Sequence, residues 1–114
     1  MGFKEDYTFE MRKSESRKIM RKYPSKVPII VQKSKSCNLN EIDKVKYLVP
    51  KDLNMNHFVY IIRKRIQLEP SESLFIMVNN QLCPSNSILD DIYGDLADED
   101  GFLYVIYTSE NTFG

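Results

Sequence analysis

The sequence has 114 residues and a mass of 13.4 kDa, a length that suits a single domain. Its 16 basic and 16 acidic side chains give a formal net charge of zero, so a general nucleic-acid binder is not expected. No apolar run approaches the ~18–20 residues of a membrane span, and the charged N-terminus does not have the pattern of a signal peptide.

The first half of the chain predicts helical segments followed by two strands. Residues 2–7 suit a short helical turn, and residues 8–23 suit a polar surface helix because they lack Pro and Gly and carry few apolar side chains. Pro24 ends this helix, since the residue before a proline is disfavoured in the α region. Residues 26–33 are rich in β-branched side chains and predict a strand, and the alternating pattern of residues 44–50 predicts a second one.

The second half predicts a long amphipathic helix and the remaining strands. Apolar residues recur at helical spacing in residues 54–66, with Asn54 as the N-cap. Residues 73–78 are apolar throughout and too short for a helix, which predicts a central strand buried on both faces. A short strand at residues 81–82, a helical segment at residues 88–93 and a last strand at residues 102–108 follow.

The order of these elements predicts an α+β fold. Right-handed crossover connections would place the first and last strands side by side in the middle of one mixed sheet. This is the β-grasp arrangement of ubiquitin, here with a four-stranded mixed sheet, a crossover helix and N-terminal helices in front. We therefore expect a helical extension at residues 1–25 packed on the core, a ubiquitin-like core at residues 26–108 and a flexible tail at residues 109–114.

The sequence offers no pattern for catalysis or for a metal site. His57 is the single histidine and has no cysteine cluster beside it, so a surface or packing role is expected. Cys37 and Cys83 form no C-x-x-C pair, which favours reduced thiols in a cytoplasmic protein. The acidic residues 95–101 fail the calcium-loop pattern, because Leu96 and Tyr107 fall where carboxylates are required, and a solvated turn is expected instead. Neither an enzyme nor a cofactor is expected.

The neutral total hides an uneven distribution of charge. All 16 Lys and Arg lie between Lys4 and Arg65 together with 7 acidic residues, so residues 1–66 carry a charge of +9 and residues 67–114 carry −9. The basic residues between positions 17 and 26 have two interpretations of about equal weight. They form a solvated face that complements the acidic half, or they contact acidic partners or anionic lipid head groups.

Five segments that span nearly the whole chain resemble one family in the same order. The chain is similar to the autophagy-related ubiquitin-like modifiers, the family that includes GABARAP and microtubule-associated light chain 3. The segments are 18–31 (KIMRKYPSKVPIIV), 43–50 (DKVKYLVP), 58–65 (FVYIIRKR), 74–80 (LFIMVNN) and 98–114 (DEDGFLYVIYTSENTFG).

The resemblance implies that Gly114 is the site of lipid conjugation. Its carboxylate would be activated as an adenylate, moved as a thioester between activating-like and conjugating-like enzymes, and joined to the amine of phosphatidylethanolamine. A glycine suits narrow active sites because it has no Cβ to obstruct the carboxylate. The implied partners include a cysteine protease for processing and deconjugation, and the implied locations are the cytoplasm and, after lipidation, the autophagosome membrane.

The resemblance also implies that the chain binds aromatic-x-x-aliphatic motifs in cargo receptors and autophagy proteins. An extended peptide would add to the strand at residues 44–50 through main-chain hydrogen bonds. The aromatic pocket would be lined by Glu15, Ile19, Pro28, Lys46, Leu48 and Phe102. The aliphatic pocket would be lined by Tyr47, Val49, Pro50, Leu53, Phe58, Ile61, Ile62 and Arg65. Acidic residues that flank the motif would meet Lys26, Lys46 and Arg65.

Some of these residues have a second interpretation. Phe58 and Ile62 are equally compatible with the hydrophobic core and with a pocket wall. For Leu48 the pocket is the favoured interpretation, because its side chain would face the side opposite to Tyr47 and Val49.

A rival function from another class is a non-covalent trafficking or cytoskeletal adaptor whose basic N-terminal helix contacts acidic tubulin tails.

Overall fold

A computed structural model describes residues 2–109, which form one mixed sheet and four helices. The helices are α1 (Phe3–Asp6), α2 (Phe9–Lys22), α3 (Met55–Arg65) and α4 (Leu89–Leu96). The strands are β1 (Lys26–Lys33), β2 (Lys46–Pro50), β3 (Phe75–Val78), β4 (Gln81–Leu82) and β5 (Leu103–Thr108). Within residues 2–109, none of the helices has the length and apolar character needed to cross a bilayer.

Side-chain caps fix where the two longest helices begin. The hydroxyl of Thr8 accepts a hydrogen bond from the backbone N–H of Met11 at 3.2 Å and so starts α2. At α3, the Asn54 side chain accepts from the His57 N–H at 2.9 Å, and the His57 ring Nδ1 accepts from the Asn54 N–H at 3.2 Å. His57 therefore completes a reciprocal capping box, which gives the single histidine a structural role.

The sheet has the strand order β2-β1-β5-β3-β4. The first and last strands, β1 and β5, lie side by side and parallel, as the crossover rule predicts. β2 pairs antiparallel with β1, with Lys26 opposite Pro50 and Ile30 opposite Lys46. Among the described strands β2 has one neighbour only, so its outer edge is available for pairing with another chain.

The core lies on the face of the sheet that α3 and α4 cover. Phe58 and Ile62 of α3 are fully buried there against alternate residues of β1 and β5. The opposite face is covered by the N-terminal helices, because Ile30 and Phe102 are also fully buried and the Phe3 ring packs edge-on against Phe102 at 5.3 Å. The fold is the predicted ubiquitin-like β-grasp, preceded by two helices that close its second face.

Two expectations for the third and fourth strands need correction. The sheet has five strands where a four-stranded sheet was expected, because the short strand predicted at residues 81–82 joins it, with Gln81 opposite Val78 and Leu82 opposite Met77. β3 is next to the edge of the sheet, and its outward-facing Phe75 and Met77 are only half-buried. A short apolar run does not by itself distinguish burial on one face from burial on both.

Candidate functional site

The side chains of β2 alternate between the two faces of the sheet. Tyr47 and Val49 point into the core and are 6% and 3% exposed, whereas Lys46 and Leu48 are half-buried on the opposite face. The prediction that Leu48 faces away from Tyr47 and Val49 is confirmed. An added strand beside β2 would therefore meet different surfaces at its odd and even positions.

The structure places the six residues expected to line the aromatic pocket on the face that carries α2. Leu48 lies opposite the buried Pro28 in the β1–β2 register. An ion pair between Lys46 and Glu15 joins β2 to α2. Ile19 is half-buried on the same helix, and Phe102 is fully buried beneath α1. Glu15, Lys46 and Leu48 are therefore accessible from the sheet edge, whereas Phe102 would contribute only as the floor.

The residues expected to line the aliphatic pocket divide into a buried and an accessible group. The buried group belongs to the hydrophobic core and comprises Tyr47, Val49, Phe58 and Ile62. The accessible group comprises Pro50, Leu53, Ile61 and Arg65. A groove of about 480 Å³ along α3 is lined by two of these, Leu53 and Ile61, together with Asn56, His57, Val59, Tyr60 and Arg63.

Two of the three cations expected to meet acidic flanking residues are already paired within the chain. Arg65 Nε donates to Asp43 Oδ1 at 2.8 Å, and this hydrogen bond lowers the pKa of Asp43. Lys46 pairs with Glu15. Lys26 has no ion pair within residues 2–109. An acidic ligand would have to compete with Asp43 and Glu15 at two of the three positions.

A buried charge network joins α2 to the turn before β5. Arg12 Nη1 lies 2.6 Å from Asp100 Oδ2, with the two side chains 10% and 0% exposed. The Tyr104 hydroxyl donates to the same oxygen at 2.5 Å, and the Phe102 N–H donates to the other carboxylate oxygen at 2.8 Å. This corrects the expectation of a solvated acidic turn at one residue. Asp95 and Glu99 are exposed, but Asp100 is fully buried and paired with a residue 88 positions earlier.

The network also changes the ionisation of its members. Burial opposes ionisation of Tyr104, and its hydrogen bond to Asp100 acts in the same direction, so the pKa of Tyr104 is strongly raised. Burial disfavours the charged form of Arg12, but the hydrogen bonds that its guanidinium donates to Tyr104 and Asp100 outweigh this, and the Arg12 pKa is raised. The Arg12 side chain therefore stays charged, and Tyr104 stays neutral as a hydrogen-bond donor.

Close packing of α2 against this turn requires a glycine. Gly101 has a φ of +94°, which other residues rarely adopt, and a Cβ there would collide with Ser16 Oγ. Ser16 Oγ in turn donates to the Asp100 carbonyl at 2.5 Å. Nothing in the local sequence distinguishes these residues from a surface turn, because their partners lie on a helix more than 80 residues away.

Neither a metal-binding cluster nor an activated Cys83 thiol is found among the described residues. Within residues 2–109, no three His, Cys, Asp or Glu side chains form a cluster that could hold a metal ion. Burial raises the pKa of the Cys83 thiol, which disfavours a nucleophilic thiolate. Gly114, the expected conjugation site, lies outside the described residues.

The sheet order, the crossover helix and the two N-terminal helices define a ubiquitin-like protein. Comparison with known proteins supports a closer assignment. The profile of the family described as "Autophagy protein Atg8 ubiquitin like" matches residues 11–114. The chain is therefore a member of the Atg8 family of ubiquitin-like autophagy proteins.

Individual relatives are similar over almost the whole chain. Autophagy-related protein 8 of Candida glabrata is 49% identical over 113 residues, which cover 99% of this chain and 96% of that protein. Autophagy-related protein 8e of Arabidopsis thaliana is 50% identical over 112 residues, covering 98% and 92%. The crystal structure of Trypanosoma brucei ATG8 superposes with a TM-score of 0.92 at 42% identity, covering 100% of this chain and 98% of that one.

Proposed function

We propose that the chain is an autophagy modifier that is conjugated through Gly114 to phosphatidylethanolamine and that also binds aromatic-x-x-aliphatic motifs. The observation that carries the proposal is membership of the Atg8 family over residues 11–114, a range that includes Gly114. The protein works in the cytoplasm and, once lipidated, on the autophagosome membrane. Its partners are activating-like and conjugating-like enzymes, a processing cysteine protease, and cargo receptors and autophagy proteins with the motif.

The conjugation chemistry proceeds in four steps. The Gly114 carboxylate attacks ATP and forms an acyl adenylate with release of pyrophosphate. An enzyme thiolate then displaces AMP to give a thioester, which is passed to a second enzyme thiol. The lipid amine finally displaces that thiol, loses a proton and forms an amide bond.

This activity is tested by reconstitution with its enzymes. The purified chain, the activating and conjugating enzymes, ATP and vesicles that contain phosphatidylethanolamine are incubated together. We expect a membrane-bound product whose mass equals the sum of protein and lipid less one water. Recovery of unmodified protein alone, under conditions in which a relative such as the Candida glabrata protein is lipidated, would contradict the proposal.

The geometry of β2 supports the peptide-binding activity. Lys46 and Leu48 lie toward the start of β2, whereas Pro50 and Leu53 lie at and beyond its end. A peptide whose aromatic residue enters the first pocket and whose aliphatic residue enters the second therefore runs parallel to β2. Positions three residues apart in a strand point to opposite faces, which matches the opposite orientation of Leu48 and Val49.

Truncation of Leu48 should weaken peptide binding. We expect Leu48→Ala to cost at least about 1 kcal/mol in the binding of an aromatic-x-x-aliphatic peptide, as is typical for loss of an interface anchor. The half-buried side chain carries little of the fold, so the variant should remain folded. Isothermal titration calorimetry with a synthetic peptide measures the change.

The matched control is Leu82→Ala on β4. Like Leu48, Leu82 is a leucine of an edge strand that lies outside the hydrophobic core, but β4 is at the opposite edge of the sheet from β2. Its replacement should leave the affinity unchanged. Equal affinities for the wild type and the Leu48 variant would remove Leu48 from the pocket.

A further inference from the structure

A cavity of about 290 Å³ lies beside the expected aromatic pocket, between α1 and the first two strands. Its lining includes Glu15 and Lys46 of that pocket, and it extends to Phe3, Asp6, Tyr7, Gln32 and Val45. None of these five additional residues belongs to the sites predicted from the sequence. The cavity therefore adjoins the expected aromatic pocket through Glu15 and Lys46.

The walls of the cavity are held in place by contacts of α1. The Phe3 ring packs against Tyr7 at 5.0 Å and against Phe102 at 5.3 Å. Arg12 Nε donates to the Tyr7 carbonyl at 3.2 Å, which fixes the junction of α1 and α2. The aromatic rings therefore form a preorganised roof over the cavity.

The position of the cavity identifies which part of a bound peptide would reach it. A peptide parallel to β2 with its aromatic residue near Leu48 has its preceding residues beside Val45 and Lys46, where the cavity opens. Side chains of an added strand alternate between faces, so the second residue before the aromatic one shares its face. That residue points toward α1 and the cavity.

The charges around the cavity favour a cation. Glu15 is neutralised by Lys46, whereas the Asp6 carboxylate has no ion pair or side-chain hydrogen bond within residues 2–109, so the lining carries a net charge of −1. Tyr7 is an exposed residue, 45% accessible, and its ring offers a surface for a planar guanidinium. An acidic side chain at this position would instead meet the free carboxylate of Asp6.

We infer that this cavity is a specificity subsite that prefers Arg two positions before the aromatic residue of the bound motif. The inference rests on the proposed peptide-binding function and extends it. It differs from the preference for acidic flanking residues that the family resemblance implies, because Lys46 and Arg65 are already paired within the chain. Asp6 and Tyr7 are its main determinants.

Three synthetic peptides test the subsite. They are 12-residue peptides with a central Trp-x-x-Leu motif and neutral residues elsewhere, and they differ only in Arg, Gln or Glu two positions before the Trp. Fluorescence anisotropy measures the affinity of each peptide at low and at high salt. At low salt the Arg peptide should bind about 3- to 10-fold more tightly than the Glu peptide, a difference that one exposed ion pair and a cation–π contact together can supply. Higher salt should reduce this ratio.

Two variants with the same change of charge test the assignment to Asp6. Asp6→Asn should reduce the Arg-over-Glu ratio to less than about 2-fold, because the removed charge supplies the ion pair. Asp95→Asn removes an exposed carboxylate on α4 that does not line the cavity, and it should preserve the ratio.

The outcomes separate this inference from the function on which it rests. Equal affinities for the three peptides, or a ratio that Asp6→Asn leaves intact, would overturn the subsite and leave the motif-binding function in place. Failure of all three peptides to bind would instead contradict motif binding itself, and the subsite with it.

Discussion

Replacement of Gly114 by Ala is expected to abolish the lipidated form of the protein. A methyl group at this position would crowd the carboxylate in the narrow active sites that form the adenylate and thioester, and it would restrict the backbone angles open to the tail. Loss of the product by 10²-fold or more is expected, since a small misplacement of a reacting group costs about that much. Mass spectrometry of the reconstituted reaction measures the yield of the lipid adduct.

The chain provides a matched glycine control for this experiment. Gly94 lies in α4, and a Cβ added there would have no heavy atom within 4 Å. Gly94→Ala should therefore keep both the fold and full conjugation. If the Gly114 variant still associated with membranes as the wild type does, the modifier function would be wrong and the non-covalent adaptor would be favoured.

Removal of the buried Asp100 charge is expected to cause a large loss of stability. Asp100→Asn leaves the Arg12 guanidinium, which is 10% exposed, without its buried partner. Breaking one side of a buried ion pair typically costs about 3–5 kcal/mol. This is a large share of the ~5–15 kcal/mol that stabilises a typical domain. Urea denaturation followed by circular dichroism measures the free energy of unfolding.

A double-mutant cycle and a nearby exposed pair serve as controls. Adding Arg12→Met to Asp100→Asn removes the unpaired charge, so the double variant should lose less than the sum of the two single variants. Asp98→Asn removes a carboxylate from the same turn. Asp98 pairs with Lys4 at 2.6 Å, but the Lys4 side chain is about half exposed. The loss of this exposed pair should therefore cost at most about 1 kcal/mol of the free energy of unfolding. Additive losses in the cycle would show that Arg12 and Asp100 do not depend on each other.

Local patterns in the sequence predicted the main elements of the fold. The apolar spacing of α3, the β-branched run of β1 and the alternation in β2 each follow from side chains within one element, and the structure confirms all three. The parallel pairing of β1 with β5 follows from the handedness of crossovers, which the element order alone determines. Burial of β3 on both faces was wrong, because the apolar run of β3 does not reveal which neighbours cover it.

The candidate site was predicted less completely than the fold. The orientation of Leu48 follows from the alternating pattern, the edge position of β2 was implied by the family resemblance, and the structure confirms both. The pairing of Arg65 with Asp43 and of Lys46 with Glu15 did not follow, because a charged residue on a predicted surface has many candidate partners. The assignment of residues to the two pockets stays a prediction.

The sequence by itself determined the family, the central pairing of the first and last strands and the neutral but uneven charge, because these depend on residue identity, on patterns within short segments and on the order of the elements. Only the tertiary structure decided what the charges do. It buries Asp100 against Arg12, which lies 88 positions earlier in the chain. It also leaves the Asp6 carboxylate, beside a cavity, without an ion-pair partner among the described residues. Pairing and burial of a charge depend on which distant segments the fold brings into contact, and the local sequence around a charged residue does not specify those contacts.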